Sequence, residues 1–165
     1  MGGNDLDQQG TIKETHEGGF IVAGLSWSKN DDVTGNHEIT DYWIVKLDSA
    51  GTIQWERSYG GSDDDWANEI EETKDHGYIV AGGTWSNDGD ITNNYGCDDD
   101  WILKIDSIGN TEWQKSFGGS SSEYAFSIRQ IMDDGYIFVG VSKARLLSKA
   151  GLKNLLHYQL FRFNP

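Results

Sequence analysis

A single cysteine, Cys97, stands in 165 residues, so stapling of the chain by an internal disulfide is excluded. No stretch is long and apolar enough to cross a membrane as a helix. The start, Met1-Gly2-Gly3-Asn4-Asp5, is neither basic nor apolar, so the chain reads as carrying no signal peptide. Basic residues are scarce: 13 Lys and Arg stand against 27 Asp and Glu, a formal net charge of −14. They are also unevenly placed. Residues 141–165 hold Lys143, Arg145, Lys149, Lys153 and Arg162 and no acid, so residues 1–140 carry 8 basic against 27 acidic groups, or −19. That region repels nucleic acid and anionic membrane surfaces and attracts cations or basic partners. Proline occurs once, Gly 21 times and Trp 7 times, a composition suited to short strands joined by glycine turns.

What the chain does have is a repeat. Gly19-Phe20-Ile21-Val22-Ala23-Gly24 recurs as Gly77-Tyr78-Ile79-Val80-Ala81-Gly82 and again as Gly135-Tyr136-Ile137-Phe138-Val139-Gly140, both steps being 58. Trp27, Trp43 and Trp55 fall in phase with Trp85, Trp101 and Trp113, and Gly60-Gly61-Ser62 with Gly118-Gly119-Ser120. No gap is needed. The register predicts units at about 2–59 and 60–117 and a partial third at 118–142, together a repeat region over 1–142. A basic, non-repeat tail follows over 143–165.

Each unit predicts four strands. In the first copy they run over residues 10–15, 19–28, 42–48 and 52–59, with Trp43, Val45 and Leu47 alternating onto one face. Glu17-Gly18-Gly19 and Ser49-Ala50-Gly51 are hairpin turn signals, and a long acidic loop joins the middle strands. The expectation is an all-β chain of tandem four-stranded antiparallel blades, β-propeller-like, in an incomplete ring, since closure takes at least about four blades. A parallel β-solenoid is the competing fold. In the tail, Leu146, Leu147, Leu152, Leu155 and Leu156 predict a short amphipathic helix, followed by a strand-like end over 157–163.

The segments GGFIVAG, DYWIVKLDSAGTIQWERSYGGS and GYIVAGGTWSNDGDIT resemble the Gly-Gly-Tyr-Ile-Val-Ala-Gly repeats of large secreted or surface-anchored proteins of Bacteroidota and some archaea. Many of those proteins carry a type IX secretion sorting domain. The resemblance covers residues 2 to about 142. It implies an extracellular or cell-surface β-propeller-like array and implies no activity. Such proteins usually have more units, a signal peptide and a sorting domain, so this chain reads as a fragment, a truncated product or one with a frameshifted end.

The acidic loops are the first candidates for function. One runs through Asn30-Asp31-Asp32-Val33-Thr34-Gly35-Asn36 to Asp41, the other through Asn87-Asp88-Gly89-Asp90-Ile91-Thr92-Asn93-Asn94 to Asp99. Asp32, Asn36, Asp41, Asp88, Asp90, Asn94 and Asp99 are the candidate metal ligands. Calcium is the candidate ion, because it takes about six to eight oxygen ligands. The competing reading has the same side chains capping turns. Trp27 and Trp85, beside the loops, are candidate aromatics for stacking on a sugar. Trp43, Trp55, Trp101 and Trp113 read as core, Trp66 as a packing partner of Tyr124, and Lys46 and Lys104 as a solvated strand face.

Catalysis has little support. His16, His37, His76 and His157 do not group along the sequence, and no nucleophile elbow, phosphate loop or paired metal-ligand motif occurs. The chain is therefore expected to be no enzyme but a scaffold or adhesion module of a secreted or cell-surface protein. Two alternatives stand beside it: a calcium-dependent or aromatic-based glycan-binding module, and a fragment of a glycoside-processing propeller enzyme. Expected partners are a glycan, a cell-surface protein, or copies of the chain completing a ring.

Overall fold

The computed structural model describes residues 2–148 and 151–164. Among them it has 11 strands and no helix: β1 (Asp7–Glu14), β2 (Phe20–Ser26), β3 (Asp41–Leu47), β4 (Ile53–Tyr59), β5 (Asp65–Glu72), β6 (Tyr78–Thr84), β7 (Asp99–Ile105), β8 (Thr111–Phe117), β9 (Glu123–Gln130), β10 (Tyr136–Ser148) and β11 (Gly151–Phe163). They form three meandering sheets, β1-β2-β3-β4, β5-β6-β7-β8 and β9-β10-β11, and every pairing is antiparallel. This is the tandem-blade fold that the repeat predicts, and it is not a parallel solenoid. Even the irregularities keep phase. A bulge falls at Gly10 in β1, at Asn68 in β5 and at Phe126 in β9, and another at Gln54 in β4 and Glu112 in β8.

The middle strands are buried on both faces, and β6 and β7 are buried throughout. The second blade has a neighbour on either side, while the outer face of the first is closed by its own loop, Val33 packing with Val22, Trp43 and Val45. Strand β5 lies across β2 and β3 of the preceding blade, and β9 lies across β6 and β7. Ile21, Ala23, Tyr42 and Ile44 of the first blade share one core with Ile70, Val80, Trp101 and Leu103 of the second. At the next seam Ile79, Ala81 and Ile102 meet Ala125, Ile128 and Phe138. Polar handles are satisfied inside the first core: the Tyr42 hydroxyl donates to Trp101 O at 3.0 Å, and the Tyr59 hydroxyl to Gly109 O at 2.6 Å.

Two expectations are corrected. The tail is strand where its leucine spacing predicts helix: residues 143–148 continue β10, and β11 pairs with β10 along its whole length. Residues 149–150 lie outside the described residues. The physical cause is the third sheet's open edge, whose backbone groups need partners and whose inner face needs apolar cover. Phe161 and Phe163 pair with Phe138 and Tyr136, at the places Leu103 and Ile105 take beside Val80 and Tyr78. The Phe161 ring stacks on Phe138 at 4.7 Å, and Phe163 on Tyr136 at 5.6 Å.

Lys46 and Lys104 are not a solvated face. They are 3 % and 1 % exposed. Lys46 Nζ donates to Thr15 Oγ1 at 3.1 Å and pairs with Glu17 at 3.4 Å; Lys104 Nζ pairs with Asp75 at 3.1 Å and Glu112 at 2.9 Å. Glu17 and Asp75 occupy the same turn position one repeat apart, so each of the first two blades ties its first hairpin turn to its third strand through a buried ammonium.

Burial differs sharply at one repeated position. Ile70 and Ile128 are fully buried, whereas Ile12 is 59 % exposed. Ile70→Ala is expected to cost about 2–5 kcal/mol and Ile12→Ala less than about 0.5 kcal/mol. Chemical denaturation measures both, and equal losses would contradict the blade stacking.

Candidate functional site

The loops between the second and third strands of the first two blades fold back onto the turn that opens each blade. Val33 packs with Trp43, and Ile91 shares a core with Trp101, which anchors the loops at their centres. Around those anchors, polar side chains take up backbone N–H groups in phase. Gly2 N–H donates to Asp32 at 3.3 Å and Gly60 N–H to Asp90 at 3.1 Å. Ser62 N–H donates to Asp88 at 2.8 Å, as Asn4 N–H does to Asn30 at 2.9 Å. His37 N–H and Tyr95 N–H donate to Asp41 and Asp99, at 3.1 and 2.6 Å. The side-chain amides of Asn36 and Asn94 donate to the carbonyls of Ser26 and Ser86, at 2.6 and 3.1 Å. All seven candidate calcium ligands thus hold main-chain groups, distributed over two straps. Convergence of ligand atoms among the described His, Cys, Asp and Glu occurs elsewhere, at His16, Glu72 and His76.

The two candidate aromatics do meet. Trp27 and Trp85 line one cavity of about 240 Å³ with Leu25, Thr40, Asp64, Trp66 and Tyr124. Its wall is mostly aromatic. Trp85 is 50 % exposed, and Trp66 lies 5.8 Å from Tyr124 between ring centres. Gly83 matters here for close approach, since a Cβ at that position would collide with the Trp66 ring. Backbone bonds hold the flanking tryptophans: Trp27 N–H donates to Leu6 O at 3.0 Å and Trp85 N–H to Asp64 O at 2.8 Å. In the same lining, the Thr40 hydroxyl donates to Asp64 at 2.7 Å. Sequence reasoning gave Trp66 and Tyr124 packing roles alone. The signal that joins them to Trp27 and Trp85 is the shared 58-residue phase of both pairs, which puts all four at the same end of adjacent blades.

Beneath the loops, acids crowd the seams. A Cβ on Gly60 would lie 2.5 Å from Asp65 Oδ2 and 2.6 Å from Asp41 Oδ1, so glycine is required where two carboxylates close on the backbone. Gly118 lies in the same way between Asp99 and Glu123. Burial pushes the Asp65 carboxyl up to about 7, against the pull of its bonds from Thr84, Gly61 and Ser86. Burial, with the carboxylates of Glu123 and Asp99 beside it, pushes Asp100 up to about 8. Asp100 is 1 % exposed, and its Oδ1 meets no hydrogen-bond donor among the described residues. It stands where the first blade has Tyr42.

Histidines that are scattered along the sequence come together in space: the rings of His16 and His76 stack at 3.7 Å. The offset of 60 residues hides this, because it is the repeat length plus two. The chain matches no protein-family profile and no curated protein.

The buried acids set a pH dependence. Their folded-state values lie above the ordinary carboxylate range near 4, so the folded chain binds protons that the unfolded chain has released, and stability falls as pH rises from about 4 to about 8. Thermal melts are expected to show a higher Tm at pH 5 than at pH 8. Asp100→Asn, which removes a buried charge without changing shape, is expected to raise stability at pH 8 by about 1–3 kcal/mol and to flatten that slope. A Tm that climbs steadily from pH 5 to pH 8 would refute the assignment.

Proposed function

We propose that the chain is a non-catalytic binding module of a secreted or cell-surface protein, and that its aromatic cleft takes a sugar ring of a glycan. The observation that carries this is the convergence of Trp27, Trp66, Trp85 and Tyr124 on one cavity that Thr40 and Asp64 also line. A pyranose offers an apolar C–H face and a belt of hydroxyls. Aromatic faces, which are electron-rich, suit the first, and a hydroxyl and a carboxylate suit the second. About 240 Å³ is room for one ring, not for an extended ligand. Hydrolysis asks for two carboxylates across a cleft. The described lining carries one acid, Asp64, already engaged by Thr40, which favours binding over a glycoside-processing role.

Titration with defined oligosaccharides, followed by tryptophan fluorescence, tests the proposal. Trp85→Ala is expected to weaken binding about tenfold, the worth of one stacked ring. Gly83→Ala is expected to weaken it too by displacing Trp66. A blank glycan array, or binding indifferent to Trp85→Ala, rejects it. Loss of binding in chelator would add a calcium requirement at the acidic loops.

A second reading, a scaffold built by head-to-tail association of copies, rests on a different observation. Tyr158 and Leu160 are 80 % and 72 % exposed at the register places where the first blade buries Tyr42 and Ile44, and Ile12 is exposed at the other end of the stack. One end of the chain thus offers the surface that the other end's counterpart buries at an internal seam. Light scattering is expected to give a mass that rises with concentration and that Leu160→Glu returns to the monomer value.

A further inference from the structure

The first hairpin turns of successive blades meet along the seams, and the meeting has one geometry with two chemistries. Each of these turns carries a residue in the left-handed region: Gly18 (φ 77°), His76 (φ 64°) and Asp134 (φ 63°). In the second and third blades that residue faces the turn of the preceding blade, so His76 stacks on His16 and Asp134 pairs with Lys74. In both seams the earlier turn also docks through its backbone. His16 N–H donates to Glu72 Oε2 at 2.8 Å, and Lys74 N–H to Gln130 Oε1 at 2.8 Å.

At the second seam the junction closes on itself. Lys74 Nζ spends its donors on Asp134 at 2.8 Å and on the carbonyls of Ile131 and Met132 at 3.2 and 3.0 Å. At the first seam the same places hold two imidazoles and a carboxylate. The Nδ1 atoms of His16 and His76 both approach Glu72 Oε1, that of His76 at 3.2 Å and that of His16 closer still. All three ligand atoms lie within 4.8 Å of one another. The Glu72 side chain is 15 % exposed and fixed through its other oxygen, while those of His16 and His76 are 45 % and 56 % exposed.

We propose that His16, Glu72 and His76 form a binding site for a divalent transition-metal ion of the zinc type. Two imidazoles and one carboxylate are a donor set that zinc accepts, with a fourth position left for water. Bonds of about 2.0–2.2 Å in tetrahedral array put ligand atoms roughly 3.3 Å apart, which is the spacing His76 and Glu72 already have. The stacked rings open slightly to admit the ion, as half-exposed turn side chains can. Both histidines also border a cavity of about 400 Å³, with Trp55 and Tyr78 in its wall, which gives the fourth position access to solvent. The His16 N–H bond to Glu72 Oε2 orients the carboxylate from outside the coordination sphere. The acidic surroundings raise the local concentration of any cation.

The test uses the full chain and zinc chloride alone, by isothermal titration calorimetry and by thermal melts. One ion per chain is expected, with a Tm that rises on adding zinc. His16→Ala and His76→Gly are each expected to weaken binding about tenfold or more and to abolish the Tm rise. His76→Gly places at the turn the residue that the first blade has there, so its metal-free melt is expected to match the parent and to exclude misfolding as the cause. His37→Ala, at a histidine far from the cluster in sequence and held by Asp41, is expected to bind as the parent does. No zinc binding by the parent, equal binding by His16→Ala and His76→Gly, or loss of binding through His37→Ala would each overturn the site.

Discussion

The structure depends on burying the far face of each sheet under the first strands of the next. A four-stranded sheet with an apolar middle cannot hide both faces by itself, and a stack of such sheets can. Strands β5 and β9 do this at the two seams, each placing an isoleucine, Ile70 or Ile128, against the β2–β3 or β6–β7 surface behind it. Because the contact recurs in one phase, everything attached to the sheets recurs with it. The hairpin turns come into contact at one end, and the loops, with Trp27 and Trp85, come into contact at the other. Neither the aromatic cleft nor the histidine cluster is built by a single blade: each takes side chains from at least two.

That arrangement puts polar groups in places where they are costly. Buried ammonium groups at Lys46 and Lys104 are tolerable because acids from the hairpin turns meet them. Asp65 is eased by the Gly61 N–H and the Ser86 hydroxyl, which both donate to its Oδ2. Asp100 has no such compensation. The first blade fills the same place with Tyr42, whose hydroxyl reaches across the seam to the Trp101 carbonyl, so the exchange of tyrosine for aspartate trades a satisfied aromatic for a crowded carboxyl. Stability in this chain is therefore not evenly divided between two seams that share one backbone plan.

The fold was legible in the sequence to the level of strand order and repeat phase, because identical spacing over two periods puts every strand of one unit in step with its counterpart in the next. The loops were legible as acidic straps, but the use of their oxygens was not: a carboxylate that holds a glycine N–H and one that holds an ion look alike in a string of Asp and Asn. Lys46 and Lys104 read as a solvated face because a lysine in a strand gives no sign that an acid from a turn will meet it. The tail's leucines suggested a helix because periodicity speaks for an isolated segment, whereas an open sheet edge beside Tyr136 and Phe138 recruits whatever chain can supply a strand and two aromatic rings. His16 and His76 were invisible for a related reason: their partnership follows from the offset between stacked turns, not from spacing along the chain.

Where copies agree, a residue serves the blade; where they differ at a shared contact, the difference calls for its own cause. Lys74 and Asp134 show that the turn-to-turn junction needs nothing beyond an ion pair. Gly18 shows that the left-handed turn position is served by glycine at no steric cost. Histidine at both of the meeting places, with its ring in the less comfortable backbone region at His76, is thus not demanded by the fold. The two stacked imidazoles also turn their Nδ1 atoms toward one carboxylate oxygen, a convergence that the junction at the second seam does without. A single dication accepting both nitrogens and the oxygen uses that convergence with the side chains already in place, which is why the departure from the repeat, and not the repeat, points to chemistry at this seam.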